Sequence, residues 1–230
     1  MSHGIAIGWL SPSIPYLRSD ESHILTGPVT SENVSWIGSL SAVGALVGAV
    51  IFGKISQKFG QKLALILLVV PHLSFWAFVY MSTQVYHLYI ARVCAGLTGG
   101  GCIRTLSLYI TEISEKTVRG ELGSYLILFL SAGNMIIFYA GTYLSFFTVP
   151  VVMIVFPFTY LVLVCFLPDS PPSLMARNKP DEAWDSLLFY RTVGSFRIVS
   201  EEFKEEYENL KKSLQNQGYD QWVIADFCMF

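Results

Sequence analysis

The chain has 230 residues, 53% of them hydrophobic and 14% charged, with a formal net charge of -2 and a mean hydropathy of +0.50. A soluble domain carries about 25% charged residues, so this balance describes a protein that meets lipid. With no basic patch to offset phosphate charge, nucleic acid is excluded as a partner.

In chain order, the first apolar run is Gly4 to Leu17, GIAIGWLSPSIPYL. At about 1.5 Å per residue it is too short for a hydrocarbon core of about 30 Å. It also lacks the basic start and small-residue cleavage site of a signal peptide, and reads as a clipped first helix. Residues 18–33 are a polar loop with Arg18, Asp20, Glu21, Pro28 and Glu32. Val34 to Ile55 is the first full-length span, and Gly44, Gly48 and then Ala45, Ala49 and Gly53 recur along it at helical spacing. Small residues four apart let two backbones approach in lipid, so this face predicts a packed partner helix.

A hinge, GKISQKFGQK, covers Gly53 to Lys62, and Leu63 to Ser82 is the third span. A short connection leads to the fourth, His87 to Tyr109. The fifth is expected over Ser124 to Leu144, and the sixth over Thr148 to Leu167, broken at Pro150 and Pro157. Between the fourth and fifth, YITEISEKTVRG places Glu112, Glu115, Lys116 and Arg119 at one membrane face, a two-sign charge cluster able to latch against an opposite surface. Residues 1–167 thus read as a transmembrane bundle of six helices. Residues 168–230 read as a cytoplasmic helical linker that stops before a second half.

Lysine and arginine set the orientation. The loop around residues 18–33 holds Arg18 alone, whereas the hinge holds Lys54, Lys58 and Lys62, the next long loop Lys116 and Arg119, and the tail seven more. The hinge, that loop and the tail are therefore expected on the cytoplasmic side. The sequon at Asn33 lies on the other face, close against the second helix. In the tail, Pro180, Asp181 and Glu182 open a helix whose apolar face is Ala183, Trp184, Leu187 and Leu188. Ser200 opens another with Phe203, Tyr207, Leu210 and Leu214 on one face.

No enzyme constellation is present. Gly99, Gly100 and Gly101 lie inside an apolar span without the Gly-Lys-Ser/Thr of a phosphate loop, and read as helix packing. His3, His23, His72 and His87 have no carboxylate or nucleophile at useful spacing, and Cys94, Cys102, Cys165 and Cys228 are scattered and expected to be buried apolar side chains. No cofactor or metal is implied. Arg92 and Arg104 stand out, because a charged side chain at the bilayer centre costs on the order of 2.5–3.5 kcal/mol. Arg92 is near enough to the outer face to snorkel; Arg104 either snorkels to the cytoplasm or pairs with Glu112.

Arg92, Gly96, Tyr109, Glu112, Arg119 and Gly120, in that order, resemble helices 4 and 5 of the sugar porter family of the major facilitator superfamily. The hinge is similar to the superfamily's Gly-x-x-x-Asp-Arg-x-Gly-Arg-Arg/Lys at Gly53, Lys58, Gly60 and Lys62, with Gln57 in place of the Asp and Gln61 in place of an Arg. Pro168, Asp169, Ser170 and Pro171 resemble the Pro-Glu-Ser/Thr-Pro-Arg after helix 6, with Pro172 at the Arg, and Gly8, Trp9, Ser11, Pro12 and Pro15 resemble helix 1 of insect-type porters.

The resemblance implies an all-α membrane protein, the six-helix N-terminal bundle of a major facilitator fold with cytoplasmic helices. It would move trehalose or a hexose in the plasma membrane by rocking against a C-terminal six-helix half around a midplane site. The implied partners are the sugar, the lipid bilayer and that missing half. The implied gating network is Glu112, Arg119, Arg92, Lys58, Lys62 and Asp169. Implied substrate contacts are Asn134, Tyr139 and Ile127, the last standing where the family has a Gln that bonds sugar hydroxyls. First-helix residues carry no Asp, which implies facilitated diffusion, and the chain alone is expected not to transport. The other reading is a truncated, non-transporting paralogue that binds or regulates a full-length partner.

Overall fold

The computed structural model describes residues 1–20, 22–24, 27–114, 118–177, 179–192 and 207–208. These form α1 (Ser2–Gly8), α2 (Leu10–Arg18), α3 (Ser31–Phe59), α4 (Gln61–Leu67), α5 (Val69–Tyr80), α6 (Val85–Ile113), α7 (Arg119–Tyr143), α8 (Thr148–Met153), α9 (Val155–Phe166), α10 (Pro171–Ala176) and α11 (Pro180–Thr192). The chain is an all-α membrane bundle. Among the described residues, five helices are long and apolar enough to cross a membrane: Ser31–Phe59, Gln61–Tyr80, Val85–Ile113, Arg119–Tyr143 and Thr148–Phe166.

Proline accounts for the broken helices. α1 ends at Gly8, α4 at Leu67 and α8 at Met153, and each of these residues lies four before a proline, Pro12, Pro71 and Pro157. A proline has no N–H for the carbonyl four residues back, and its ring pushes that carbonyl away. So α1–α2, α4–α5 and α8–α9 are three kinked rods. The last one breaks once, at Ile154, and not also at Pro150 as the sequence suggests. Pro150 falls in the first turn of α8, where an N–H has no intrahelical acceptor to lose.

The tightest packing is between α3 and α6. A Cβ added at Gly44 would overlap the Val93 carbonyl, and one at Gly48 the Leu97 backbone. From the other side, a Cβ at Gly96 would overlap the Ser41 carbonyl and one at Gly100 the Ala45 carbonyl. The small-residue pattern of α3 thus has its partner, and the two backbones touch directly. The glycine run divides its work, since helix positions one apart point about 100° apart: Gly99 faces the His3 ring of α1, Gly100 faces α3, and Gly101 faces Phe52 and Leu68.

Among the described residues, two apolar cores fill the bundle. The larger joins Ile5, Trp9, Phe75, Trp76, Leu88 and Ile137; the smaller joins Phe52, Leu65, Leu68, Tyr109 and Val164. α7 contributes little to either, burying only Gly133, Ile137 and Ala140. Cys94 and Cys102 are half-buried, but Cys165 is exposed on α9, contrary to the expectation of burial. Its neighbours Leu163 and Phe166 are exposed too, so its apolar surroundings lie outside the protein, as befits a lipid-facing helix. Cys228 lies outside the described residues, as does most of the helix expected after Ser200.

The two ends of the bundle differ. The basic end carries the α3–α4 turn, the α6–α7 turn, α10 and α11; the aromatic end carries the α2–α3, α5–α6 and α7–α8 turns.

Candidate functional site

At the basic end, the segment Pro168-Asp169-Ser170 is gripped from four sides. The Gln61 amide, at the start of α4, donates to Glu112 Oε1 at 2.6 Å. Ser170 donates to the other Glu112 oxygen and lies 3.0 Å from Gln61 Oε1. Gln61 and Ser170 are both buried, at 5% and 0% exposure, and a charged acceptor strengthens such bonds. The Tyr109 and Tyr190 hydroxyls touch each other and reach the Pro168 carbonyl at 2.8 and 3.0 Å. Burial pushes the Tyr190 phenol above its ordinary value, so it stays a protonated donor. Ser186 of α11 donates to the Asp169 carbonyl.

Gly60 completes the clasp. Its φ of +89° is a left-handed conformation that side chains resist. A Cβ there would overlap the Arg177 guanidinium, which itself lies 3.7 Å from Asp169 Oδ2. The turn between α3 and α4 is therefore shaped to let an arginine from beyond α10 lie across it.

The rest of the implied gating set is elsewhere. Arg119 donates to the Thr111 carbonyl at 2.9 Å, closing the end of α6 rather than meeting Glu112. Lys58 lies over the Phe59 ring at 5.3 Å, and Lys62 is half-buried beside the clasp's first residue. Arg104 lays its stem beside Gly53, 3.8 Å from where a Cβ would stand, and makes no ion pair among the described residues.

Arg92 does not snorkel. It is 4% exposed and donates to the carbonyls of Ala6 at 3.0 Å and Ile7 at 3.5 Å, with its guanidinium 5.9 Å from the Trp9 ring centre. These carbonyls end α1, just before the one that Pro12 deprives of a donor, and a cation at a helix C-terminus is stabilising. A buried arginine from α6 thus lies against the kinked end of α1.

Asn134 comes to the same break from α7. A Cβ at Gly8 would overlap Asn134 Oδ1, so glycine is what lets the amide close on the end of α1. Asn134 Oδ1, Arg92 Nε and Trp9 Nε1 are buried without a hydrogen-bond partner among the described residues. Ile127 lies two turns before Asn134, on the same face, yet is 71% exposed. Tyr139, also 71% exposed, is turned about 140° from Asn134 and stacks near Tyr143 at 4.7 Å. The structure thus brings Arg92 and Asn134 together at the broken first helix and leaves Ile127 and Tyr139 facing outward. Reading the sequence missed Tyr190, Arg177 and the Gly8–Asn134 contact. Gly60 and Ser170 were visible in motifs, but their partners lie more than fifty residues away.

The Sugar (and other) transporter family matches residues 7–226. The mouse (Mus musculus) solute carrier family 2, facilitated glucose transporter member 8, is 32% identical over 189 residues, covering 82% of this chain and 39% of that protein. The facilitated trehalose transporter Tret1 of Apis mellifera ligustica is 28% identical over 199 residues, covering 86% of this chain and 39% of that protein. The chain thus spans about two fifths of these relatives, 39% in both cases. The xylose transporter XylE from E. coli, in a partially occluded inward-open conformation, superposes with a TM-score of 0.75 at 16% identity, covering 93% of this chain and 55% of that one. The glycine-locked helix pair, the proline-broken first helix and the clasp at the basic end therefore sit in a chain that belongs to the Sugar (and other) transporter family.

Proposed function

We propose that this chain is the N-terminal part of a facilitative sugar transporter of the plasma membrane. Residues 1–167 form the transmembrane half-bundle, and residues 168–230 form the cytoplasmic connection to a second six-helix half. The observation that carries the reading is the basic-end clasp. One carboxylate, Glu112, holds an α4 amide and the hydroxyl that precedes α10 at the same time, so α4, α6 and the start of the tail share a single fastening. In an alternating-access carrier, a fastening of this kind at one face lets half of the bundle rock as a body. The lysine and arginine distribution supports a cytoplasmic position for that face.

Substrate recognition is assigned to the break of the first helix. Discontinuous helices near the bilayer midplane are where such carriers expose backbone and polar groups, and Asn134 and Arg92 each reach the end of α1 here. The substrate class is a hexose or trehalose, in keeping with the names of the glucose and trehalose transporters among the relatives. With no carboxylate on α1 or α2, downhill diffusion is the coupling mode. Ile127 and Tyr139 face outward on α7, where the second half would cover them.

The chain co-expressed with the C-terminal half of a relative, in liposomes, is expected to take up glucose or trehalose saturably. Asn134→Ala is expected to raise KM with little change in assembly. Assembly of the two halves without any saturable uptake would refute the reading, and an unchanged KM in Asn134→Ala would refute the assignment of the site.

A further inference from the structure

At the aromatic end, three turns meet on one imidazole. His23, between α2 and α3, is stacked 5.8 Å from Tyr16, with Phe146 at 4.9 Å and Phe147 at 4.6 Å from the α7–α8 connection. Its Nε2 lies 3.0 Å from Ser82 Oγ in the α5–α6 turn, and its Nδ1 lies 3.3 Å from the Tyr16 hydroxyl.

The hydrogen bonds run one way. Ser82, fully buried, spends its hydrogen on the Val79 carbonyl at 2.7 Å. It therefore accepts from His23 and fixes the proton on Nε2. Nδ1 then carries the lone pair and accepts from Tyr16. The neutral imidazole satisfies this chain; a proton on Nδ1 would confront the Tyr16 hydroxyl with a second donor and place a positive charge inside the cluster.

The surroundings offer that charge little. The α5–α6 turn, Met81 to Gln84, and the α7–α8 connection, Leu144 to Phe147, contain no charged residue. Among the described residues, Tyr16 and Tyr80 are the other titratable groups against the cluster. On the same stretch as His23, Arg18 donates to Ser31 and Asp20 is exposed; Glu21 lies outside the described residues. His87, in the first turn of α6, packs on Tyr86. Ring faces favour a cation, but burial outweighs them and holds the His23 imidazole below its ordinary value, against the opposing effect of the Ser82 bond.

We propose that His23 is a proton-operated clasp: neutral, it ties the α2–α3, α5–α6 and α7–α8 turns together, and protonation from the solution at that end releases them. The idea does not depend on transport. It gives this end of the bundle a rigidity that follows the pH of the compartment it faces.

Hydrogen exchange in detergent micelles, corrected for intrinsic rates, tests it between about pH 7.5 and pH 5. Protection at residues 79–84 and 144–148 is expected to fall on acidification. His23→Gln, which can donate to Ser82 and accept from Tyr16 without titrating, is expected to abolish the pH response. Equal loss in the wild type and His23→Gln, or no loss in the wild type, would overturn the proposal. Should that variant not fold, the nitrogen NMR signals of the wild-type imidazole decide. An Nε2–H tautomer whose midpoint rises in Tyr16→Phe supports the clasp. An Nδ1–H tautomer, or a midpoint unmoved by Tyr16→Phe, overturns it.

Discussion

The two ends of the bundle are fastened by opposite chemistry. The basic end gathers its turns on a carboxylate, Glu112, through an amide and a hydroxyl, with two phenols on the neighbouring Pro168 carbonyl and an arginine beside Asp169. The aromatic end gathers its turns on a neutral imidazole inside a group of rings. Donors converging on one acceptor are directional and are lost together if the acceptor goes. Ring packing is spread over many weak contacts and degrades gradually. The basic end is thus built to be fully closed or fully open, and the aromatic end to loosen by degrees.

The sharpest way to break this contrast is Glu112→Ala. It leaves the buried Gln61 amide without its acceptor and the Ser170 hydroxyl with Gln61 Oε1 in place of the carboxylate, and a stranded buried donor costs about 1–3 kcal/mol. Thermal unfolding in detergent should show the largest drop of the set. Glu112→Gln should lose less than half as much, because an amide still accepts; equal losses would mean that charge, not hydrogen bonding, holds the end.

Gly60→Ala should come next. The left-handed backbone at φ +89° and the overlap with Arg177 together should cost about 1–3 kcal/mol. Combining it with Arg177→Ala separates the two causes: partial recovery in the double variant assigns that share to the guanidinium, and no recovery assigns all of it to φ.

Tyr190→Phe removes one of two donors to the Pro168 carbonyl while Tyr109 stays, so a loss of about 0.5–1.5 kcal/mol is expected in the same assay.

At the aromatic end the expected effect is smaller and depends on pH. The folded chain holds His23 below its unfolded pKa of about 6.5, so the unfolded state binds more protons. The stabilisation is complete above that value and is lost as pH falls through the folded pKa. Unfolding midpoints of the wild type measured downward from about pH 7.5 should fall more steeply than those of His23→Gln; parallel curves would remove histidine from the account of this end.

Lys179→Ala sets the floor. Its 2.7 Å pair with Glu182 is exposed on both sides, and such pairs contribute about 0–1 kcal/mol, so the variant should barely move the midpoint.

The class of fold was legible because it rests on local quantities. Hydropathy marks the spans, and the recurrence of Gly44 and Gly48 announces a close helix partner. Kinks at Trp9 and Leu68 were equally open to reading from Pro12 and Pro71, but only the sixth helix was read as broken. The candidate site was half legible. Glu112 stands in a motif, and Gln61 in a motif position usually basic; that the amide keeps the fastening without charge appears only when the two side chains meet. Arg92 looked like a residue seeking water, because its real partners are main-chain carbonyls at the end of another helix. His23 sits in a polar loop with no periodicity, and its partners come from turns about 60 and 120 residues further on, so no local pattern marks it.

The direct backbone contact of α3 with α6 bears on how the chain is made. Gly48 and Gly100 face each other's helices, but the whole α4–α5 rod, Gln61–Tyr80, lies between them in sequence. At a synthesis rate of about 5–20 residues per second, the ribosome needs about 3–10 s to go from one glycine to the other. During that interval α3 is in the translocon or the lipid with its glycine groove empty. The rod made in between cannot fill it, since only glycines on the facing helix allow so close an approach. The first half of biogenesis therefore proceeds with this close glycine contact still unmade, and a mutation at Gly96 or Gly100 would act on the nascent chain at the membrane.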